Sequence, residues 1–331
     1  MYRDLLSGRP LSREELPRTA SGIVSFFSPE QESSSKMSID SWDGLYRMRE
    51  KPHQNGVQQG ITVENRMRNW TRKPFFLRLL ACAEDLSKGA QTLEAGCGTA
   101  LTSALVSMKF DLTAYGFDVS PTAISGARRT FSECGLDIDL VSVADVVKLP
   151  YPDNAFDLVF GKTVFEHFED PNKAACELAR VTAHGGTLLL DVPNANNARW
   201  TLHSEAAHGH THTTRTYSIE ALSDLLTKAG FAITDSWGDA LFYTTPYILL
   251  KTWWLRFGNR GSGTDSHSSV ERPPVASGQR TRLLSPLLGM AEIGDRCFKR
   301  VCLSLNRFAQ SAGLVNPHNG VLVGVVARKV Q

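Results

Sequence analysis

The chain has 331 residues, of which 42% are hydrophobic and 21% are charged, and its formal net charge is +2. This length allows a full hydrophobic core and exceeds what one minimal domain requires, so flanking segments or insertions account for the surplus. The nearly neutral charge does not favour an obligate nucleic-acid partner. No apolar stretch reaches the roughly 18 residues that a membrane span requires.

The cysteines and the first residues indicate a reducing compartment. The six cysteines are scattered without paired metal-binding spacing, which is typical of buried thiols in a reduced cytoplasm. The first residues lack the apolar core of a signal sequence. We therefore expect a cytoplasmic protein.

Composition outlines the segments outside the central domain. Residues 1–38 are polar and rich in Ser, Glu and Pro, so we expect a poorly ordered lead. Residues 39–90 carry amphipathic helical spacings, which predict a helical lid and a first helix. Residues 240–315 form a long insertion, and its middle, 258–281, is rich in Gly, Ser and Pro and is predicted to be disordered.

Residues 91–239 alternate apolar runs with helical patterns, and a last strand lies within 316–331. The predicted elements are strand 91–95, helix 100–109, strand 112–117, helix 121–134, strand 138–143, strand 156–160, helix 171–183, strand 187–192, helix 218–229, strand 231–237 and strand 321–328. Ser218 is the expected N-cap of the last helix. This alternation predicts an α/β, doubly wound sheet with helices on both faces.

A glycine-rich turn follows the first predicted strand of this domain, in Leu93-Glu94-Ala95-Gly96-Cys97-Gly98-Thr99-Ala100. Gly96 and Gly98 lack a Cβ, so the backbone can turn sharply and a ligand can approach closely. The helix that follows directs unsatisfied N–H groups at that ligand. Alone, the turn is compatible with any nucleotide-binding α/β domain.

Acidic residues follow the next two strands. Asp118 comes 24 residues after Glu94, at the end of the second strand, where a ribose diol is held in such sheets. Asp145 follows the third strand, and Gly161 follows the fourth. Because ligands bind parallel sheets at the carboxyl ends of the strands, these residues are predicted to share one site.

The order and spacing of four segments resemble those of class I S-adenosylmethionine-dependent methyltransferases. The segments are Leu93 to Ala100, Ala114 to Pro121, Ala144 to Val159, and Gly185 to Leu190. The resemblance covers roughly 70–238, and Glu166-His167 with Ala229-Gly230-Phe231 is similar to the broad group that includes ubiquinone-biosynthesis O-methyltransferases. It implies a Rossmann-like sheet of seven mostly parallel strands, with a helical lid and a long insertion before an antiparallel last strand.

The resemblance also implies a cofactor, S-adenosylmethionine, with S-adenosylhomocysteine as product. Glu94 would hold the methionine amino group, Asp118 both ribose hydroxyls and Asp145 the adenine amino group. The full expected cofactor set is Glu94, Gly96, Cys97, Gly98, Asp118, Val119, Asp145, Val146, Lys162 and Tyr46. The competing interpretations are a purely structural turn, a helix N-cap at Asp118 and a solvated loop acid at Asp145.

Glu166 and His167 are the catalytic candidates, because they follow the fourth strand beside the expected methyl group. His167 could act as a general base towards a hydroxyl nucleophile, since its ordinary pKa is near neutral. The pair could instead bind a divalent metal or simply cap a helix. In metal-binding relatives a Glu stands three residues before this pair, where this chain has Thr163. We therefore expect no metal, although His208, His210 and His212 could contribute ligands.

The lid and the insertion bear on the acceptor. Trp42 and Tyr46 either contact the methionine end of the cofactor or are plain core residues. Residues 247–257 combine Trp253-Trp254 with basic residues, which favours either peripheral contact with the inner membrane face or a buried lid helix. We expect a small, hydrophobic or lipid-linked acceptor that is O-methylated. The alternatives are N- or C-methylation, a protein or RNA acceptor, and a pseudoenzyme that only binds cofactor.

Overall fold

The computed structural model describes residues 2–5, 7–27, 74–197, 215–239, 312, 315–318 and 322–330. Several predictions fall outside these ranges and remain predictions: the lid aromatics Trp42 and Tyr46, the histidines of 208–212, and the segments 247–257 and 258–281. Among the described helices, none is long and apolar enough to cross a membrane.

The sheet has seven strands, and the prediction of a mostly parallel, Rossmann-like sheet is confirmed. The strands are β3 (Gln91–Ala95), β4 (Thr113–Asp118), β5 (Val141–Val143), β6 (Phe156–Lys162), β7 (Thr182–Pro193), β8 (Phe231–Asp239) and β9 (Leu322–Lys329), after a small hairpin of β1 (Tyr2–Arg3) and β2 (Pro10–Leu11). Their order is β5-β4-β3-β6-β7-β9-β8. Strands β3 to β7 run parallel, and β9 lies antiparallel between β7 and β8.

Within the described ranges, five helices flank the sheet: α1 (Pro74–Glu84), α2 (Leu101–Phe110), α3 (Pro121–Glu133), α4 (Pro171–Val181) and α5 (Ile219–Lys228). Side chains cap three of them, because Ser120, Asp170 and Ser218 each accept hydrogen bonds from backbone N–H groups of the first turn. The predicted N-cap at Ser218 is therefore confirmed.

Side chains alternate between the two faces of the central strands, which explains why both faces carry helices. In β6, Val159 packs in the cluster that includes α4 and α5, whereas Leu158 and Phe160 pack in the cluster with α1. In β7, Leu188 and Leu189 divide in the same way. Strands buried on both faces read as continuous apolar runs, as these do in the sequence.

The predicted strand 138–143 is only half extended. Ile138–Leu140 forms a 3₁₀ turn, and the strand is confined to Val141–Val143. The Asp137 carboxylate accepts a hydrogen bond from the backbone N–H of Asp139 at 3.0 Å. Such side-chain capping competes with strand pairing, so β5 starts three residues later than the apolar pattern suggests.

The N-terminal segment also departs from the expectation of a poorly ordered lead. Residues 2–27, called the N-terminal arm below, pack on the sheet beside β5. The Tyr2 ring lies 5.0 Å from the Phe26 ring and 5.4 Å from the Tyr151 ring, between centroids. The polar composition favoured disorder, but a few aromatic and aliphatic residues are enough to pack the arm against the core of the sheet.

Gly324 in β9 provides a test of the packing at the antiparallel end of the sheet. It pairs with Trp237 of β8, and a Cβ at this position would overlap the indole ring. The ring is itself held by the Arg78 guanidinium, which stacks 4.6 Å from the ring centroid.

We predict that Gly324→Ala lowers the free energy of unfolding by about 1–3 kcal/mol, because the added methyl overpacks the site. Urea denaturation measures the effect. The double variant Gly324→Ala with Trp237→Leu should lose less free energy of unfolding than the two single variants lose in sum. The reason is that the smaller leucine leaves room for the added methyl group. Strictly additive losses would show that the ring does not restrict this position.

Candidate functional site

The parallel strands bring the predicted site residues to one edge of the sheet. Glu94 lies in β3, Asp118 ends β4, Asp145 follows β5, and Lys162 ends β6. Because β5, β4, β3 and β6 are neighbours in this order, all four residues lie along the carboxyl edge. The sequence prediction of a shared site at this edge agrees with the topology.

The glycine turn between β3 and α2 has three residues in the left-handed region. Their φ angles are +61° at Gly96, +54° at Gly98 and +51° at Ala100. A Cβ at Gly96 would overlap the Val164 side chain, which belongs to the loop after β6. Ala100, where the resemblance implies a further glycine, carries the steric strain of a left-handed alanine in a fully buried position.

Glu94 is buried and hydrogen-bonded to the start of α2. Its Oε2 accepts from the Ser103 backbone N–H at 3.0 Å and from the Ser103 hydroxyl at 2.6 Å. Burial nevertheless dominates and raises the pKa of this carboxyl to about 7. A positive charge beside Glu94 would favour its ionised form, so the residue suits a ligand ammonium.

Asp118, the last residue of β4, connects this strand to the glycine turn. Its Oδ2 accepts from the Gly98 N–H at 2.9 Å, and its Oδ1 accepts from the Ser120 N–H at 3.0 Å. Ser120, not Asp118, caps α3, since the Ser120 hydroxyl accepts from the Ala123 N–H at 3.1 Å. The competing interpretation of Asp118 as the N-cap is therefore not what the structure shows.

Asp145 lies in the loop after β5, and its Oδ1 accepts from the Val147 N–H at 3.2 Å. Burial raises the pKa of this carboxyl above its ordinary value. Val146 next to it is 3% exposed and packs in the core. Asp145 itself is half-buried, and its predicted contact with the adenine amino group stays a prediction.

Lys162 has a partner within the protein. Its Nζ lies 3.1 Å from Oδ2 of Asp191, and the ammonium also lies 5.7 Å from the centroid of the Phe75 ring. Asp191 is fully buried near the carboxyl end of β7, and its Oδ1 accepts from the Thr163 N–H at 2.8 Å. The predicted contact of Lys162 with a cofactor remains a prediction beside this ion pair.

Asp191 was missed by the sequence analysis. It follows the apolar run Leu188-Leu189-Leu190, so the signal was an acid at the end of a strand, as at Asp118. It supports a strained loop, because Thr163 has a φ of +46°, a conformation that a β-branched residue rarely adopts.

Glu166 and His167 lie on the 3₁₀ turn Phe165–His167 that follows this loop. Glu166 is fully buried, and neither carboxyl oxygen has a hydrogen-bond partner among the described residues. Burial raises the pKa of the Glu166 carboxyl well above its ordinary value. Nε2 of His167 lies 3.9 Å from Oε1 of Glu166.

Cys97 and Val119, the other described residues of the predicted cofactor set, lie in the glycine turn and next to Asp118. Cys97 is buried inside the glycine turn, where its backbone N–H donates to the Phe117 carbonyl at 2.9 Å, and burial raises the pKa of its thiol. Val119 follows Asp118 and is half-buried. Within the described ranges there is no group of three or more His, Cys, Asp or Glu side chains placed to hold a metal ion.

Comparison with known protein families finds a match for the part of the chain that carries this site. Residues 93–190 match the family model described as a methyltransferase domain. They include the end of β3, the glycine turn, Asp118, Asp145, Glu166 and His167. This part of the chain is thus a methyltransferase domain, as the four segments predict.

Two curated relatives share this part of the chain. Ajmaline N-methyltransferase of Rauvolfia serpentina is 35% identical over 104 residues, which are 31% of this chain and 36% of the relative. The "Probable tocopherol O-methyltransferase, chloroplastic" of Oryza sativa subsp. japonica is 32% identical over 117 residues, 34% of this chain and 32% of the relative. The chain thus spans about a third of the length of the curated relatives it matches.

A solved structure extends the fold similarity to most of the chain. It is a chain of the complex that contains the Haloferax volcanii Trm112 methyltransferase activator, with a TM-score of 0.51 and 15% identity. The match covers 88% of this chain and 97% of that chain. At this identity the similarity concerns the fold alone.

The raised pKa of Glu94 makes the stability of the site dependent on pH. Because the folded carboxyl holds its proton up to about pH 7 and the unfolded one only to about 4.5, ionisation opposes folding. The contribution of Glu94 to the free energy of unfolding is therefore largest at low pH. It falls as the pH rises from the unfolded value through the folded one.

We predict that this pH dependence is lost in Glu94→Gln. Relative to that variant, the wild-type protein should lose about 2–4 kcal/mol of unfolding free energy between pH 4.5 and pH 7. Urea denaturation at a series of pH values, without added ligand, measures the difference. Glu84→Gln, on the exposed side of α1, is the control and should follow the wild-type curve. Parallel curves for Glu94→Gln and wild type would contradict the assignment.

Proposed function

We propose that this protein is an S-adenosylmethionine-dependent methyltransferase that methylates an oxygen atom of a small, hydrophobic or lipid-linked acceptor. The observation that carries the proposal is the row of carboxyl groups at the carboxyl edge of the sheet, the buried Glu94 and Asp118 and the half-buried Asp145, beside the left-handed glycine turn. The match of residues 93–190 to the methyltransferase domain supports it.

The donor set fits S-adenosylmethionine at three points. Glu94 would accept from the methionine ammonium, Asp118 from the ribose hydroxyls and Asp145 from the adenine amino group, with Val146 against the ring. The absence of a Cβ at Gly98 would let the ligand approach the turn closely, while the Gly98 N–H fixes the Asp118 carboxylate beside it. When bound, S-adenosylmethionine supplies an electrophilic methyl group and leaves as S-adenosylhomocysteine.

The loop after β6 supplies the groups for the acceptor. The His167 imidazole would take the proton from the acceptor hydroxyl as the oxygen forms its bond to the methyl carbon. Glu166 would orient that imidazole, since its carboxyl lies 3.9 Å from Nε2 and has no other partner among the described residues. The protein's contribution is otherwise to align the two reactants and to exclude water.

The acceptor class rests on sequence segments outside the described residues. Residues 247–257 are apolar and aromatic with flanking basic side chains, which favours an apolar or lipid-linked acceptor and contact with the inner face of a membrane. We accordingly propose a cytoplasmic enzyme with peripheral membrane association and no obligate nucleic-acid partner.

N-methylation is the second candidate, because the two curated relatives carry N-methyltransferase and O-methyltransferase names. A neutral amine attacks without a base, whereas a hydroxyl needs one. The dependence of turnover on His167 therefore distinguishes the two chemistries.

Transfer of labelled methyl groups tests the function directly. The purified protein is incubated with methyl-labelled S-adenosylmethionine and host extract, and label is counted in the lipid, small-molecule, RNA and protein fractions. Label in the lipid or apolar small-molecule fraction is expected. Label in RNA or protein would replace the proposed acceptor, and tight cofactor binding without any labelled product would indicate a pseudoenzyme.

We predict that Asp118→Ala weakens S-adenosylhomocysteine binding by roughly 1.5–3 kcal/mol, because the ribose hydroxyls lose a charged acceptor. Isothermal titration calorimetry measures it. Asp224→Ala, an exposed aspartate of α5 at the other end of the sheet, is the matched control and should bind as the wild type does. Unchanged affinity in Asp118→Ala would exclude the ribose assignment.

We predict that His167→Ala lowers kcat by about 10²–10⁴ when the acceptor atom is oxygen, because general-base assistance is lost. The dissociation constant of S-adenosylhomocysteine should stay unchanged in the same variant. Glu166→Gln should retain binding and lose part of kcat. A His167→Ala enzyme with wild-type kcat would favour N-methylation or a purely structural role for the pair.

A further inference from the structure

The N-terminal arm closes the open edge of the sheet at β5. The Val143 N–H donates to the Val24 carbonyl at 2.9 Å, and the Phe26 N–H donates to the Val143 carbonyl at 2.9 Å. β5 has only three residues and pairs with β4 on its other side. An edge strand this short has few hydrogen bonds to hold it, so the arm supplies a large share of them.

One buried carboxylate fastens the arm to the sheet. Asp139, in the turn before β5, accepts two hydrogen bonds from the Arg18 guanidinium, at 2.8 Å and 2.9 Å. Arg13 donates to the same carboxylate at 2.8 Å, and Arg128 of α3 donates to the arm carbonyl of Gly22 at 2.9 Å. The Arg18 hydrogen bonds, together with other charges, lower the pKa of Asp139, so the carboxylate stays ionised at neutral pH.

One apolar cluster contains residues of the arm and of the glycine turn. Ile23 is 7% exposed and belongs to the same buried cluster as Cys97, Ala100 and Val143. The arm thus shares a buried cluster with the turn after β3 and pairs with the last residue of β5. Both elements carry residues of the proposed cofactor site.

The end of β5 sets the position of Asp145 relative to Asp118. Val143 stands two residues before Asp145, and the intervening Ala144 donates its N–H to the Asp118 carbonyl at 3.2 Å. If the arm detached, β5 would keep pairing on one side only and would open locally more often. The apparent affinity of a ligand falls in proportion to the population of the closed form.

We propose that the N-terminal arm is a positioning element of the cofactor site and that Arg18 is its positioning residue. By holding β5 closed, the arm sets the distance between Asp118 and Asp145, and with it the affinity for the adenosine half of the methyl donor. The proposal rests on the proposed function, because it needs a nucleoside ligand at this edge.

The test compares three full-length variants: Arg18→Leu, Arg18→Lys and Lys88→Met. Lys88 makes an exposed ion pair with Asp111 before β3, away from the arm, so Lys88→Met is the matched control. Binding of S-adenosylhomocysteine and of methylthioadenosine is measured by calorimetry, well below the unfolding temperature. Methylthioadenosine lacks the amino-acid end and therefore reports the adenosine half alone.

For Arg18→Leu we expect both ligands to lose affinity by about ten-fold, equivalent to about 1.4 kcal/mol of binding free energy. Arg18→Lys should recover part of the loss, because an ammonium cannot make the bidentate contact with Asp139. Lys88→Met should bind as the wild type does. Hydrogen exchange at the Val143 amide should become faster in Arg18→Leu, because this amide donates to the arm.

Unchanged affinities in Arg18→Leu, with only a lower unfolding temperature, would overturn the proposal and leave the arm a purely structural role. If Arg18→Leu fails to fold, Arg13→Leu replaces it. Arg13 is more exposed and shares the same carboxylate, so a smaller loss in the same direction is expected. A wild-type protein that binds neither ligand would refute the proposed function itself, and the positioning role with it.

Discussion

The contact between Val164 and the backbone of Gly96 is the constraint on which the site depends. Gly96 turns the chain out of β3, and Val164 belongs to the loop after β6, so one contact joins two neighbouring strand ends. The side that would bind the methyl donor and the side that would bind the acceptor are thereby held together. Only a glycine allows the approach, because a Cβ would occupy the space of the valine methyl.

The loop that carries Val164 is held in a strained conformation by a buried anion. Asp191 accepts from the Thr163 N–H and pairs with Lys162, which keeps Thr163 at a positive φ. Strain of this kind persists only where surrounding contacts over-determine it, and it concentrates at functional sites. Here it directs Glu166 and His167 from the end of β6 towards the same edge of the sheet as Glu94 and Asp118.

Burial disfavours the ionised forms of carboxyl groups along this edge of the sheet, and a positively charged ligand would favour them. Burial raises the pKa values of Glu94, Asp145 and Glu166, and the charge of Asp118 adds to the effect at Glu94. Such a cluster costs stability in the free protein. The ammonium and sulfonium charges of the proposed methyl donor would favour ionised carboxylates, so the same burial that opposes folding would support binding. The N-terminal arm adds backbone hydrogen bonds to β5, the outermost strand of this edge.

The sequence by itself determined the order of the elements and most of the cofactor-site candidates. Apolar runs and helix caps locate most of β3 to β9 and α2 to α5 to within three residues, because periodicity and capping are local properties. The start of β7 is an exception, because the strand begins at Thr182 and the predicted one begins at 187. Glu94, Asp118 and Asp145 were predictable because parallel strands place their carboxyl ends along one edge. Tertiary structure alone decided the contacts between distant segments. The Asp139–Arg18 pair, the support of Thr163 by Asp191 and the packing of Val164 on Gly96 join residues that no local pattern connects. The arm shows the difference most clearly: its composition favours disorder, and its ordered packing depends on an edge strand and a buried aspartate far along the chain.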